Sequence, residues 1–170
     1  MVGNQNMAQL PNINAKILSR EALLEQVTAW QSAGETVVFT NGCFDILHYG
    51  HVDYLHQAAA LGHRLVVALN TDASVSRLKG PNRPLQNEAS RGLVMAALGC
   101  VDAITFFDEA TPLGLITTLL PDVLVKGADY SIDQIVGAKE VLANGGKVET
   151  IALSTGYSTT AIEQRIQAAK

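Results

Sequence analysis

Five short apolar runs, at 36–40, 64–69, 103–107, 122–126 and 148–153, alternate with longer stretches of helical periodicity, and no other feature limits the possible folds as much. The runs are continuously apolar rather than alternating, as strands buried on both faces are. Strands of that kind joined through helices form a sheet covered on both sides. The pattern predicts an α/β fold, a doubly wound five-stranded parallel sheet. Ligands of such sheets bind beyond the carboxyl ends of the strands, where the winding reverses. Segments 41–51, 70–83, 127–130 and 154–160 are therefore the ones to search.

The helical stretches carry readable punctuation. Ser19 opens one with Leu23, Leu24, Val27 and Trp30 on one side, and Gly34 ends it. A second, 51–61, carries Val52, Leu55, Ala58 and Ala59 and closes at Gly62, and a third, 87–98, closes at Gly99. Thr111-Pro112 reads as an N-cap followed by proline at the first helical position. Ser131 to Gln134 reads as a capping box for a helix ending at Gly145-Gly146, and Thr160 to Glu163 as another opening the last helix.

With 170 residues, 48% of them apolar, the chain can bury one full core. The expected organisation is a loose, Asn/Gln-rich arm over 1–15 and a single domain over 16–170. A net charge of −4 without a basic block argues against nucleic-acid binding, which needs clustered Lys and Arg. Cys43 and Cys100 provide neither a disulfide framework nor a CxxC metal pattern. The first residues lack the layout of a signal peptide, and no run approaches the ~20 apolar residues of a membrane span. A soluble, cytoplasmic protein is expected, with the arm and first helix as candidate homodimer contacts.

The most informative stretch is TNGCFDILHYGH, 40–51, directly after the first strand. Asn41-Gly42 supplies a tight turn that lets backbone N–H groups approach a ligand. Gly50-His51 then begins a helix whose unpaired N–H groups and dipole favour an anion. His48 and His51 flank that helix mouth and can face one anion. A lone histidine is more often a satisfied polar group than a functional one; two at a glycine-bounded turn favour phosphate chemistry. For zinc, HxxH offers two ligands, but no third His or Cys follows with ligand spacing. Cys43 beside Phe44 reads as packing rather than as a reactive thiol, and Asp45 as a turn acceptor rather than a catalyst.

Other segments add cations and hydroxyls. After the second strand, Asn70-Thr71-Asp72 caps a helical turn, and Arg77, Lys79 and Arg83 are expected to cluster in a Gly/Pro loop as a phosphate clamp. Lys79 is the one assigned to phosphate, with Arg91 on the next helix as a further candidate. Lys126 closes the fourth strand beside Gly127 on the ligand side. Beyond Gly156, Ser158, Thr159 and Thr160 present hydroxyls and N–H groups at another helix start.

TNGCFDILHYGHVDYL resembles the signature of the nucleotidyltransferase superfamily, HxGH after a GxFDxxH turn, intact here at His48-Tyr49-Gly50-His51. From Ser19 to Ile166 the chain is similar to one branch, the heptose 1-phosphate adenylyltransferase domain of ADP-heptose synthase. The shared stretches are NTDASVSRLKGPNRP, PDVLVKGADY, GAKEVLANGGKV and GYSTT. Bifunctional members add an N-terminal sugar kinase; nothing here resembles one, and a stand-alone transferase is expected. The resemblance implies a Rossmann-like nucleotidyltransferase fold, ATP and a sugar phosphate as substrates, and Mg²⁺ accompanying ATP, with no metal site built by the protein. It implies catalysis by His48, His51 and Lys79. Nucleotide contacts would come from Thr40, Asn41, Gly42, Cys43, Phe44, His48, Gly50, His51, Lys126, Gly127, Tyr157, Ser158, Thr159 and Thr160. Sugar-phosphate contacts would come from Asn70, Asp72, Arg77, Lys79, Arg83 and Arg91.

Two departures stand out. Glycerol 3-phosphate cytidylyltransferases carry RTEGIST where this chain has LSTGYST, so Leu153 replaces an arginine; Glu163 replaces the arginine of the ISSTxIR form. The cation that serves the triphosphate from this side is left unassigned. A cytidylyltransferase acting on an alcohol phosphate and a non-catalytic nucleotide-binding module stay open as alternatives.

Overall fold

The five apolar runs form one parallel sheet in the order β3-β2-β1-β4-β5, with β1 Val37–Gly42, β2 Arg64–Asn70, β3 Ala103–Phe107, β4 Val123–Gly127 and β5 Lys147–Ile151. The computed structural model describes residues 12–128 and 131–169. The chain winds outward from β1 to β3, then crosses back to lay β4 on the other side of β1. The reversal between β1 and β4 opens a crevice at their carboxyl ends, where Asn41-Gly42 and Lys126-Gly127 lie.

Helices α1 Arg20–Ser32, α5 Leu113–Leu119 and α6 Ala138–Ala143 cover one face; α2 Tyr49–Ala59 and α4 Glu88–Ala96 cover the other. Strand residues divide between the faces with the period of two that a pleated strand imposes. Phe39, Val66 and Leu124 meet Leu23, Val27 and Ile116, while Val38, Val67 and Val125 meet Leu55, Ala58 and Met95. Each such side chain, fully removed from water, contributes about 1.5–3 kcal/mol. Helix α3, Asp72–Lys79, follows β2, and α7, Thr159–Ala168, follows β5. Among the described residues no helix is long and apolar enough to cross a membrane.

Local departures from expectation have local causes. Residues 1–11 of the expected arm lie outside the described residues, as do Asp129, Tyr130 and Lys170. Ile13–Lys16 form a 3-10 turn, and Lys16 Nζ donates to the carbonyls of Leu98 (3.2 Å) and Val101 (2.7 Å), so the end of that arm is pinned to the body. Pro112, not Thr111, is the N-cap of α5, without a side-chain hydrogen bond. Ser158, not Thr160, caps α7 by accepting from the Ala161 N–H at 3.1 Å. Arg77 and Lys79, expected in a loop, lie on α3.

The predicted helix from Ser131 is interrupted. Ser131 N–H donates to Gln134 Oε1 at 3.4 Å, but the turn thus closed is a short 3-10 helix, Ile132–Gln134. Gly137 then adopts φ +86°, and α6 starts after it. A Cβ on Gly137 would sit 2.7 Å from Ile116 Cγ2, so the break is set by packing against α5. Gly137→Ala should lower the unfolding free energy by about 1–3 kcal/mol. A denaturant midpoint equal to wild type would show that neither the backbone conformation nor the α5 contact constrains this position.

Candidate active site

The site begins where β1 ends. Gly42 has no room for a side chain, since a Cβ there would lie 2.8 Å from the Phe44 ring. Phe44 itself holds φ +45°, a conformation that costs a non-glycine residue ~1–2 kcal/mol and is offset here by burial of its ring. That ring meets His51 edge-on at 5.1 Å. His48, in extended backbone, is the N-cap of α2 but makes no side-chain capping bond. Its imidazole is instead stacked on His51, with centroids 3.8 Å apart and planes 20° from parallel.

Burial, and then the proximity of His48, push the His51 imidazole down to about 4; burial alone lowers His48. Both rings are therefore neutral near pH 7. Among the described residues, their Nδ1 atoms, and Asn41 Oδ1 at the end of β1, are buried without a hydrogen-bond partner. Each such atom costs ~1–3 kcal/mol unless a ligand or solvent satisfies it. Two at the mouth of α2 and a third at the end of β1 are unmet groups of the kind a polar guest satisfies.

A cavity of about 360 Å³ opens over this turn, lined among others by Gly42, Phe44, His51, Lys79, Lys126 and Thr159. A second, more apolar cavity of about 180 Å³ adjoins it between Leu78, Phe107 and Ile135, and shares Asn41 and Lys126 with the first. Among the described residues Lys126 Nζ makes one long hydrogen bond, to the Asn41 carbonyl at 3.4 Å. Burial pushes its ammonium down to about 8, partly opposed by Cys43, which leaves a cation at neutral pH in want of an anion. Lys79, at the end of α3, is exposed and has no hydrogen bond or ion pair to the described residues. A wider cleft of about 480 Å³ lies at the amino ends of the strands around Thr36 and Asp122, but there the Asp122 carboxylate is already engaged by the Val37 N–H at 2.8 Å.

The expected residues separate into those that face the cavities and those that build them. Asn41, Gly42, Cys43, Phe44, His51, Lys79, Lys126, Gly127 and Thr159 line the larger cavity. Asn70 lines the smaller one, its Nδ2 donating to Ser74 Oγ at 2.9 Å and its Oδ1 facing Cys43 Sγ at 3.7 Å. Burial raises the Cys43 thiol, in keeping with packing. Thr40 is buried behind the turn, its hydroxyl 2.7 Å from Tyr54 Oη. Gly50 lies under Tyr157, whose exposed ring packs on Tyr49 at 4.7 Å. Thr160 is exposed on α7.

The arginine clamp is not formed as expected. Arg77 turns outward to the Asp108 carboxylate at 3.1 Å and to the Asp108 carbonyl. The reason is helical: residues two apart on α3 do not face the same way, so Arg77 and Lys79 diverge. Arg91 is buried and committed to the protein, donating to the Gln86 carbonyl at 3.0 Å, the Cys43 carbonyl at 2.8 Å and the Asp72 carboxylate at 2.8 Å. Arg91, itself held by Asp72, thus ties the 43-turn to α4. Arg83 pairs with Asp45 at 3.0 Å and with Glu163. Asp45 is the buried acceptor its place in the turn suggests, receiving the Leu85 and Gln86 N–H groups at 2.9 Å each. Burial alone would push its carboxyl up, but these bonds and Arg83 keep it lowered. Gln134 lines the smaller cavity and Glu163 pairs with Arg83; the sequence marks Gln134 only as a capping-box residue, and Glu163 as that and as the stand-in for an arginine. Among the described residues no group of three His, Cys, Asp or Glu side chains is placed to hold a metal.

The profile of the cytidylyltransferase-like family matches residues 39–165, from the buried core of β1 to α7. The chain belongs to that family. Within it, the bifunctional protein HldE of Marinomonas sp. is 55% identical over 154 residues, which are 91% of this chain and 32% of that protein. The HldE of Azorhizobium caulinodans is 58% identical over 146 residues, 86% of this chain and 30% of its own length. The chain thus spans about a third of the curated relatives it matches. A lipopolysaccharide core biosynthesis protein from Thermoplasma volcanium superposes with a TM-score of 0.58 at 30% identity, covering 74% of this chain and all of the other.

The histidine pair gives the site a pH signature. The unfolded chain takes up a proton on His51 near the ordinary imidazole value, whereas the folded chain does so only near 4. Stability is therefore lost as pH falls through that interval, and His51→Gln should lose less of it. Imidazole titration by NMR, with urea midpoints at the two ends of the interval, checks both; a His51 midpoint in the ordinary range would contradict the buried, neutral pair.

Proposed function

We propose that the chain transfers AMP from ATP to D-glycero-D-manno-heptose 1-phosphate, releasing pyrophosphate and giving ADP-heptose for the lipopolysaccharide core. The observation that carries this is the pair of adjoining cavities joined at Asn41 and Lys126, the larger one lined by His51, on which His48 stacks. The larger accepts the nucleotide, with its phosphates over the 41–51 turn. The smaller, with Asn70 and Gln134 among apolar walls, accepts the sugar phosphate. Lys126 at the junction meets the two reacting phosphates together.

An oxygen of the sugar phosphate attacks the α-phosphorus in line, an O–P bond forms, and the bond from the α-phosphorus to the bridging oxygen breaks. The attacking oxygen is already anionic, so no side chain has to remove a proton. The barrier lies in bringing anions together and in charge gathered on the leaving oxygen. Neutral imidazoles at His48 and His51 can donate N–H bonds to that charge, and an anion held there raises their proton affinity. Lys79, free on its exposed helix end, reaches the β- and γ-phosphates. Mg²⁺ fits as an ion carried by ATP: Asp45 and Asp72, the carboxylates of this turn region, are engaged by Arg83 and Arg91, which leaves phosphate oxygens and water as its ligands. When bound it offsets phosphate charge.

Leu153 on the wall of the larger cavity, where the glycerol 3-phosphate enzymes carry arginine, favours ATP over CTP. An ATP-consuming precursor step also suits the cytoplasm. Incubation with heptose 1-phosphate and either nucleotide, followed by mass analysis, tests substrate and base together; a CDP product, or none, defeats the assignment. His51→Ala should lower kcat by about 10²–10³-fold with the fold intact, and near-normal turnover would remove the imidazole from the reaction. Lys79→Ala should raise KM for ATP, whereas Lys126→Ala should also raise KM for the sugar phosphate. Equal behaviour of the two variants would refute the placing of Lys126 between the cavities.

A further inference from the structure

Helix α7 is attached to the body by polar contacts. None of its residues is buried, and only Thr159, Ala161, Ile162 and Glu163 are half-buried, so it lacks the broad apolar face by which surface helices dock. Just before it, Tyr157 packs on Tyr49 and Ser154 Oγ donates to Asp53 Oδ2 at 2.6 Å. From the helix itself, Glu163 pairs with Arg83 of the α3–α4 loop. The other arm of Arg83 reaches Asp45, which lies beneath the nucleotide turn. Side-chain exposure is 20% for Arg83 and 24% for Glu163, so water and salt screen this pair less than an open surface pair. The first turn of α7 also walls the larger cavity, through Thr159.

We infer that Glu163 is a positioning residue, which through Arg83 seats the first turn of α7 against the cavity and so raises nucleotide affinity without touching the nucleotide. This rests on the adenylyl-transfer function proposed above. The pair gives a use to the carboxylate that stands where the ISSTxIR relatives have a cation: the cation comes from the loop, and the helix supplies its partner. Seating α7 narrows the access of water to the phosphate cradle and strengthens every electrostatic contact inside it. Binding and seating are then linked, so each favours the other by the same factor.

Glu163→Gln tests this. The helix is peripheral, so cooperative unfolding of the sheet should be unchanged. In calorimetric titrations with ATP and Mg²⁺, Kd should rise about tenfold, while kcat at saturating ATP stays that of wild type. Without ligand, backbone amides of 159–166 should exchange hydrogen faster in the variant, and Glu163→Asp should recover most of both effects. Unchanged Kd overturns the inference whatever the exchange shows, as does tighter ATP binding, which would mean that Glu163 competes with phosphate for Arg83. Unchanged exchange overturns it too. Wild type that binds ATP yet forms no ADP-heptose would refute the proposed reaction and leave this inference standing; wild type that binds no ATP would overturn both.

Discussion

The buried Asp45 carboxylate is the contact on which the arrangement of the site depends. It sits in the turn after β1 and receives two backbone N–H groups and one guanidinium from the α3–α4 loop. Its own backbone carbonyl accepts Gln86 Nε2 at 2.7 Å. A buried carboxylate without such partners would be costly, so loop and turn must come together as one unit. Arg91 adds a second clasp from α4, on the Cys43 carbonyl. Between them, these groups convert a Gly-containing segment into a shaped wall, and they do so through bonds within the protein.

Charge at the site is arranged in the opposite way. Among the described residues, the groups at the cavities are under-committed: the His51 imidazole and the His48 ring stacked on it with orphaned nitrogens, a half-buried lysine with one long bond, an exposed lysine with none. The supporting carboxylates and arginines are fully paired behind them. Such a division suits polyanionic substrates. Donors and cations stand ready at fixed positions, and stabilisation of developing charge needs little reorganisation. The winding reversal between β1 and β4 is what sets Lys126 beside Asn41, although 85 residues separate them.

Much of this was legible in the chain. Apolar runs set the strands within two residues, because burial on both faces demands continuous hydrophobicity. Ser19 and Asn87 mark helix starts through capping bonds that are local by nature. The GCFD turn and the paired histidines stood out as a candidate site because their chemistry is carried by residues close together in the chain. The failures share a cause. Arg77 and Arg83 were expected in one Gly/Pro loop and Arg91 beside them on the next helix, yet their partners, Asp108, Glu163 and Cys43, come from distant segments. The break at Gly137 answers to Ile116, on another helix.

By itself, then, the sequence determined the sheet, most of its helices and the glycine turn after β1 that walls the larger cavity, since each depends on periodicity or on neighbours along the chain. The tertiary structure alone decided which cations are free. A guanidinium becomes a binding group or a strut according to the carboxylates and carbonyls that folding brings within about 3 Å of it, and chain order holds no record of those distances.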